Sequence, residues 1–204
     1  MLKYNTVIFD LDGVLVDACD WHRVALNAAL KEICNYEIEY EDHLKIFNGI
    51  PTMKKLQILN ERGIVKEKDF LIIHKTKQDK TIEIINKMCK PRKEKLLLFD
   101  WLKSKKININ CFTNSISLTA NLMLKKSNVY DKLTMLVTNE DVSNPKPDPE
   151  GYLKIINDLC LKKKNVLIVE DSPKGIAAAK ASGCRVLEVS GVNEVNINLF
   201  KEIL

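Results

Sequence analysis

Val7-Ile8-Phe9-Asp10-Leu11-Asp12-Gly13-Val14-Leu15-Val16-Asp17 is the stretch on which the reading of this chain turns. Thr6–Phe9, which leads into it, reads as a short buried strand. The run then stops on two acids and a glycine, Asp10, Asp12 and Gly13. Such an ending draws notice because, in open α/β sheets, ligands bind just beyond the carboxyl ends of the strands. Taken alone, the acids read equally well as a turn or a helix cap. The rest of the chain has to arbitrate.

Working outward, four more apolar runs read as buried strands: Ile107–Phe112, Leu133–Val137, Val166–Val169 and Arg185–Val189. Helical patterns alternate with them at Glu94–Lys105, Ser117–Lys126, Pro149–Cys160 and Pro173–Ser182. That alternation predicts a doubly wound parallel sheet with helices on both faces. The first strand breaks the rhythm. About ninety residues part it from the second, where a crossover needs only a dozen or so. Within that stretch Asp20–Cys34, Thr52–Arg62 and Lys66–Met88 carry apolar residues at three- and four-residue spacing, punctuated by Gly49, Pro51 and Gly63. The simplest organisation is an α/β core from residues 1–16 and 91–204, with a small all-helical domain, residues 17–90, inserted after strand one.

The composition excludes several classes. A chain of 204 residues with 46% hydrophobic content can bury a core in one or two domains. Seven Gly, six Pro and 29% charged residues do not fit a disordered or fibrous chain. The net charge of +5 comes from 28 Lys and 4 Arg spread against 27 acids. Nucleic-acid binders concentrate Arg, Lys and exposed aromatics on one surface, and no nucleic-acid partner is expected. Six cysteines stand singly, without a CxxC, which argues against a zinc site and for a reducing compartment. With no signal-peptide pattern and no stretch of ~18 apolar residues, a soluble cytoplasmic protein without a membrane partner is expected.

The other strand ends settle the status of Asp10 and Asp12. Strand two runs into Thr113-Asn114-Ser115, strand three is followed by Asn144-Pro145-Lys146-Pro147-Asp148-Pro149, and strand four ends in Glu170-Asp171-Ser172-Pro173. Prolines on both sides of Lys146 hold its backbone away from helix. Singly, Thr113 reads as a helix cap and Lys146 as a surface lysine. In order and together, they put a polar group on one rim of the sheet at each of the first four strands.

At this point the chain resembles the haloacid dehalogenase-like (HAD) phosphohydrolases over nearly its whole length. Asp10-x-Asp12 is similar to the family's first motif, Thr113 to its second, Lys146 to its third and Glu170-Asp171 to its fourth. The insert is similar to the family's helical cap. Asp12-Gly13-Val14-Leu15-Val16-Asp17, His22 and Glu170-Asp171-Ser172 resemble most the branch of β-phosphoglucomutase-like and phosphoglycolate-phosphatase-like enzymes.

The resemblance implies a Rossmann-like core of strand order 3-2-1-4-5, with a cap that opens and closes over the site. Asp10 is then the nucleophile that forms an aspartyl-phosphate. Asp12 is the general acid and base; its presence favours phosphate esters, since dehalogenases and phosphonate-cleaving relatives lack an acid there. Four acids around one crevice need a cation, and Mg²⁺ suits them. Its implied ligands are Asp10, the Asp12 carbonyl, Asp171 and Glu170, the last directly or through water. Lys146, Thr113 and the Asn114 amide are implied to bind the phosphoryl oxygens, a preorganised electrostatic arrangement. His22 is implied to face a substrate in the cap, though an ordinary helix histidine fits it too.

The implied activity is Mg²⁺-dependent hydrolysis of a small phosphate monoester, a sugar phosphate or similar metabolite, by a monomer or weak homodimer. Two alternatives stay open. A phosphomutase shares the aspartyl-phosphate, but Gly49-Ile50-Pro51-Thr52 lacks the arginine with which a β-phosphoglucomutase grips a second phosphate, and Ala18 replaces the usual threonine. A non-catalytic phospho-ligand binder would tend to have lost a motif residue. His43 and His74 are expected at the surface, and Lys54, Lys55, Lys75 and Lys77 mostly on a solvated face.

Overall fold

A computed structural model describes residues 3–47 and 50–203. It holds a five-stranded, all-parallel sheet of β1 (Thr6–Phe9), β2 (Asn108–Phe112), β3 (Met135–Val137), β4 (Val166–Glu170) and β5 (Arg185–Glu188). The order β3-β2-β1-β4-β5 is the anticipated doubly wound one, with β1 central. Crossovers run through α5 (Lys93–Ser104), α6 (Ser117–Lys126), α7 (Glu150–Asp158) and α8 (Pro173–Ala181). The all-helical insertion after β1 comprises α1 (Cys19–Cys34), α2 (Tyr40–Asp42) leading into a π-helical turn His43–Phe47, α3 (Thr52–Glu61) and α4 (Phe70–Met88).

Two compact units result: the residues up to Asp17 with those from Cys89 onward, and Ala18–Met88. The first is cored on Ile8, Phe112, Val137, Tyr152, Ile155 and Ile168. The second has its own core of Leu26, Leu30, Phe47, Leu56, Leu59 and Ile73. No helix among the described residues is long and apolar enough to cross a membrane.

Several local details depart from the sequence pattern. A last helix, α9 (Ile197–Ile203), was not foreseen. Phe200 anchors it: its ring lies 5.6 Å from that of Phe9, which stacks on Phe99 at 5.5 Å. Such aromatic pairs contribute ~0.5–1.5 kcal/mol each beyond their buried area. The helix expected from Lys66 starts as a 3-10 turn at Glu67–Asp69. His43 is buried rather than at the surface, because the π-helical turn that carries it packs Phe47 into the helical core. Lys55 is buried too: it lies four residues before Leu59 on α3, so its stem shares the apolar face. Lys54 and Lys75 are exposed as expected, and His74 and Lys77 are partly buried.

Candidate active site

The sheet's register assembles the site. Phe9 pairs with Cys111 on one side and with Val169 on the other. One step further along the three strands come Asp10, Phe112 and Glu170, with Thr113 and Asp171 following. Asp10 donates its main-chain N–H to the Val169 carbonyl at 3.0 Å, and Thr113 donates to Val137 at 3.0 Å. Beyond Asp10 the chain turns sharply. Gly13 adopts φ +96°, a left-handed conformation that a side chain would strain. Its N–H donates to the Val16 carbonyl at 2.7 Å, closing the turn.

Lys146 is the hub. It is buried, and its Nζ donates to Asp10 Oδ1 at 2.5 Å, Glu170 Oε1 at 2.5 Å and the Phe112 carbonyl at 2.9 Å. Three N–H groups meet three acceptors, which exhausts the ammonium's capacity. Burial opposes its charge, but Asp10 and Glu170 outweigh burial and hold the ammonium well above the usual lysine range.

Asn114 has a role beyond the one expected. Its carboxamide accepts from the Lys146 N–H at 3.0 Å and donates to the Lys146 carbonyl at 3.2 Å. Each end of the side chain thereby holds the Lys146 main chain, so it orients the lysine's loop.

Asp12 is oriented by two hydroxyls. Thr113 Oγ1 donates to its Oδ2 at 3.1 Å and Ser115 Oγ donates to the same oxygen at 2.9 Å. Thr113 in turn accepts the Ser115 N–H at 3.0 Å. Ser115 was passed over in the sequence, although it lies two residues after Thr113 in the same loop.

Glu170 is fully buried and already well supplied with donors. Besides Lys146, its Oε1 accepts the Tyr152 hydroxyl at 2.7 Å. Its Oε2 accepts from Asp171 N at 3.1 Å, Ser172 N at 3.4 Å and Ser172 Oγ at 3.3 Å. Tyr152 was also missed. Its only sequence signal is an aromatic near the start of the helix that follows Lys146.

The acids are short of positive charge. Burial pushes the Asp10 carboxyl well above the usual carboxylate range; Lys146 pulls it down, while Glu170, Asp12 and Asp171 push it further up. Burial and Glu170 raise Asp171 to about 6. Asp10, Glu170 and Asp171 each offer a carboxylate oxygen, and the three oxygens lie within 4.8 Å of one another. Asp171 Oδ1 is buried without a hydrogen-bond partner, a state that costs free energy unless something binds it. An all-oxygen donor set with an orphaned, inward carboxylate oxygen fits a hard divalent cation.

In the helical unit, His22 lies on α1, partly buried, with Nδ1 3.4 Å from Lys77 Nζ. Gly49, part of the loop expected to meet substrate, falls outside the described residues.

Comparison with known proteins agrees with this geometry. The sequence profile of the haloacid dehalogenase-like hydrolases matches residues 7–189. A phosphorylated carbohydrates phosphatase of Thermotoga maritima is 28% identical over 180 residues, 88% of this chain and 82% of that protein. The fructose-1-phosphate phosphatase of Escherichia coli is 28% identical over 190 residues, 92% of this chain and 97% of its own. The crystal structure of β-phosphoglucomutase from Clostridium difficile superimposes with a TM-score of 0.80 at 22% identity, covering 99% of this chain and 96% of that one.

Proposed function

The chain belongs to the haloacid dehalogenase-like hydrolases, and from that premise we propose that it is a Mg²⁺-dependent phosphatase acting on a small phosphorylated metabolite, a sugar phosphate or close relative. The observation that carries the reading is Lys146 gripping Asp10 at 2.5 Å while two hydroxyls orient Asp12. That is a buried carboxylate nucleophile beside a second, separately held acid.

The reaction runs in two halves. An Asp10 carboxylate oxygen attacks phosphorus, the ester P–O bond breaks, and Asp12 gives its proton to the departing alkoxide. Water then attacks the phosphorus of the aspartyl-phosphate and Asp12 takes the proton back. The P–O bond to Asp10 breaks, releasing inorganic phosphate and restoring the carboxylate. Lys146 stabilises charge on the transferring oxygens through its field, and Thr113 would turn its hydroxyl from Asp12 to one of them. Asp10, Asp171 and the Asp12 carbonyl would hold the cation, with Glu170 beside them. The chemistry supplied by bound Mg²⁺ is neutralisation of charge between phosphate and acids.

Substrate selection we assign to the helical unit, where His22 is the first residue to vary. We place the reaction in the cytoplasm, carried out by a monomer or weak homodimer; the six free thiols agree with a reducing setting. The mutase alternative shares the same aspartyl-phosphate, but the likeness to the Clostridium difficile mutase, at 22% identity, extends to the fold alone, and the two relatives named above are phosphatases.

The test is phosphate release from a panel of sugar phosphates and phosphoglycolate, with Mg²⁺ and with chelator. Release that needs the metal and falls at least about a thousandfold in Asp10→Asn is the expected result. Full activity in Asp10→Asn refutes the mechanism, and conversion of a glucose phosphate without phosphate release would turn the reading to a mutase.

A further inference from the structure

We propose that Tyr152 is a positioning residue of this hydrolase: its hydroxyl restrains Glu170 so that Glu170 does not draw Lys146 away from Asp10. The inference rests on the phosphatase reading and deepens it.

Glu170 carries a carboxylate with no exposure to solvent, and such a group persists only when its oxygens are satisfied. The two oxygens are served differently. Oε2 is held by its own turn, through the N–H groups of Asp171 and Ser172 and the Ser172 hydroxyl. Oε1 is shared between Lys146 Nζ at 2.5 Å and the Tyr152 hydroxyl at 2.7 Å. Among the described residues, Tyr152 is the one donor to Glu170 that lies outside both that turn and the lysine itself.

The other walls leave the carboxylate little room. A Cβ on Gly175 would stand 2.0 Å from Glu170 Oε1, so the helix start presses directly against it. The Tyr152 ring packs edge-on against Phe112, centroids 4.9 Å apart. Lys146 Nζ lies 4.7 Å from the Phe112 centroid and 5.1 Å from that of Tyr152, cation–π distances.

The consequence follows from competition for one ammonium. Lys146 divides its charge between Asp10, the attacking group, and Glu170, which does not attack. A hydroxyl donating to Glu170 Oε1 absorbs part of that oxygen's charge and leaves more of the lysine's field for Asp10 and the phosphoryl oxygens. Without the hydroxyl, Oε1 draws the ammonium toward itself, and the small misplacement falls on the reacting centre.

Tyr152→Phe keeps the ring and removes only the hydroxyl, so it separates this role from packing. Three quantities are read: turnover of p-nitrophenyl phosphate, Mg²⁺ affinity by calorimetry, and affinity for beryllofluoride, a phosphoryl mimic that occupies an aspartate without turnover. We expect kcat to fall about tenfold with KM nearly unchanged, beryllofluoride to bind about tenfold more weakly, and Mg²⁺ affinity to hold. In a Glu170→Gln background the same substitution should cost no further kcat, because its partner is gone.

Wild-type kcat and beryllofluoride affinity in Tyr152→Phe overturn the proposal, as does a merely lowered melting temperature with chemistry intact. A loss of Mg²⁺ affinity also overturns it, by moving the effect to the metal. If the wild-type protein binds beryllofluoride but releases no phosphate, the phosphatase reading fails and the beryllofluoride comparison alone judges Tyr152. A wild type that does neither refutes both.

Discussion

Asn114 grips Lys146 by the main chain, accepting its N–H at 3.0 Å and donating to its carbonyl at 3.2 Å, while the lysine's ammonium reaches Asp10. A residue at the end of β2 thereby sets where a long side chain from the loop after β3 begins. The reach of a four-carbon stem turns a small shift at its root into a displacement at its tip.

This clamp is expected to show in turnover more than in binding. Its two hydrogen bonds are worth about 1 kcal/mol each. Asn114→Ala should lower kcat about tenfold and leave KM nearly unchanged. Asn114→Asp, which can accept but not donate, should restore little. Steady-state kinetics on both variants decide it, and normal kcat in each would show that Lys146 needs no clamp.

Metal should also stabilise the fold. Asp171 Oδ1 is buried and unpartnered, and the neighbouring acids repel one another. Mg²⁺ at a hundredfold excess over its Kd should add about 2.7 kcal/mol, seen as a higher melting temperature that chelator reverses. Asp171→Asn should abolish most of that response. An identical melting temperature with and without the metal would remove the cation from this cluster.

Gly175 is expected to tolerate no side chain. The added Cβ would meet the Glu170 carboxylate at 2.0 Å, and that carboxylate is held by its donors on the other sides. Gly175→Ala should cost about 1–3 kcal/mol of stability and reduce kcat together with it. Urea unfolding and turnover measured on one preparation test both halves. Unchanged values would mean that Glu170 is free to move aside.

The helical unit carries a separate pH liability in His43. Burial, with Lys55 and Arg23 nearby, lowers its imidazole from 6.5 to about 4, with Asp20 opposing weakly. The unfolded chain takes up a proton below about pH 6.5 that the folded one refuses, so stability falls as pH drops from 6.5 toward 4. Between pH 7 and pH 5 the loss should be on the order of 2 kcal/mol. His43→Leu should narrow the gap between urea midpoints at pH 7 and pH 5; an undiminished gap would clear His43.

The core sheet was legible because its strands are short apolar runs with polar rims, and because alternation with helices allows few topologies. The same logic brought Asp10, Asp12, Thr113, Lys146 and Asp171 into view, each at a strand end or in the loop that follows one. What hid was pairing across elements. Nothing in the sequence near Tyr152 announces that its hydroxyl meets Glu170, and nothing near Asn114 tells that its side chain holds a neighbouring loop. His43 and Lys55 misled because a polar residue at helical spacing reads as solvent-facing, whereas a π-helical turn and a long aliphatic stem put both inside. The last helix hid because seven residues carry little periodicity and a single aromatic, Phe200, seats it.

The central place of β1 has a consequence for how the protein is made. Thr6 finds its sheet neighbours at Asn108 and Val166, so the strand that leads into Asp10 leaves the ribosome long before either partner exists. At ~5–20 residues per second, it waits many seconds as an unpaired apolar segment. The helical unit, whose contacts close within Ala18–Met88, can gather in that interval. Pairing between distant strands is slow and exposed to aggregation. Nascent chains halted before β4 should therefore be the form of this protein that most needs a chaperone.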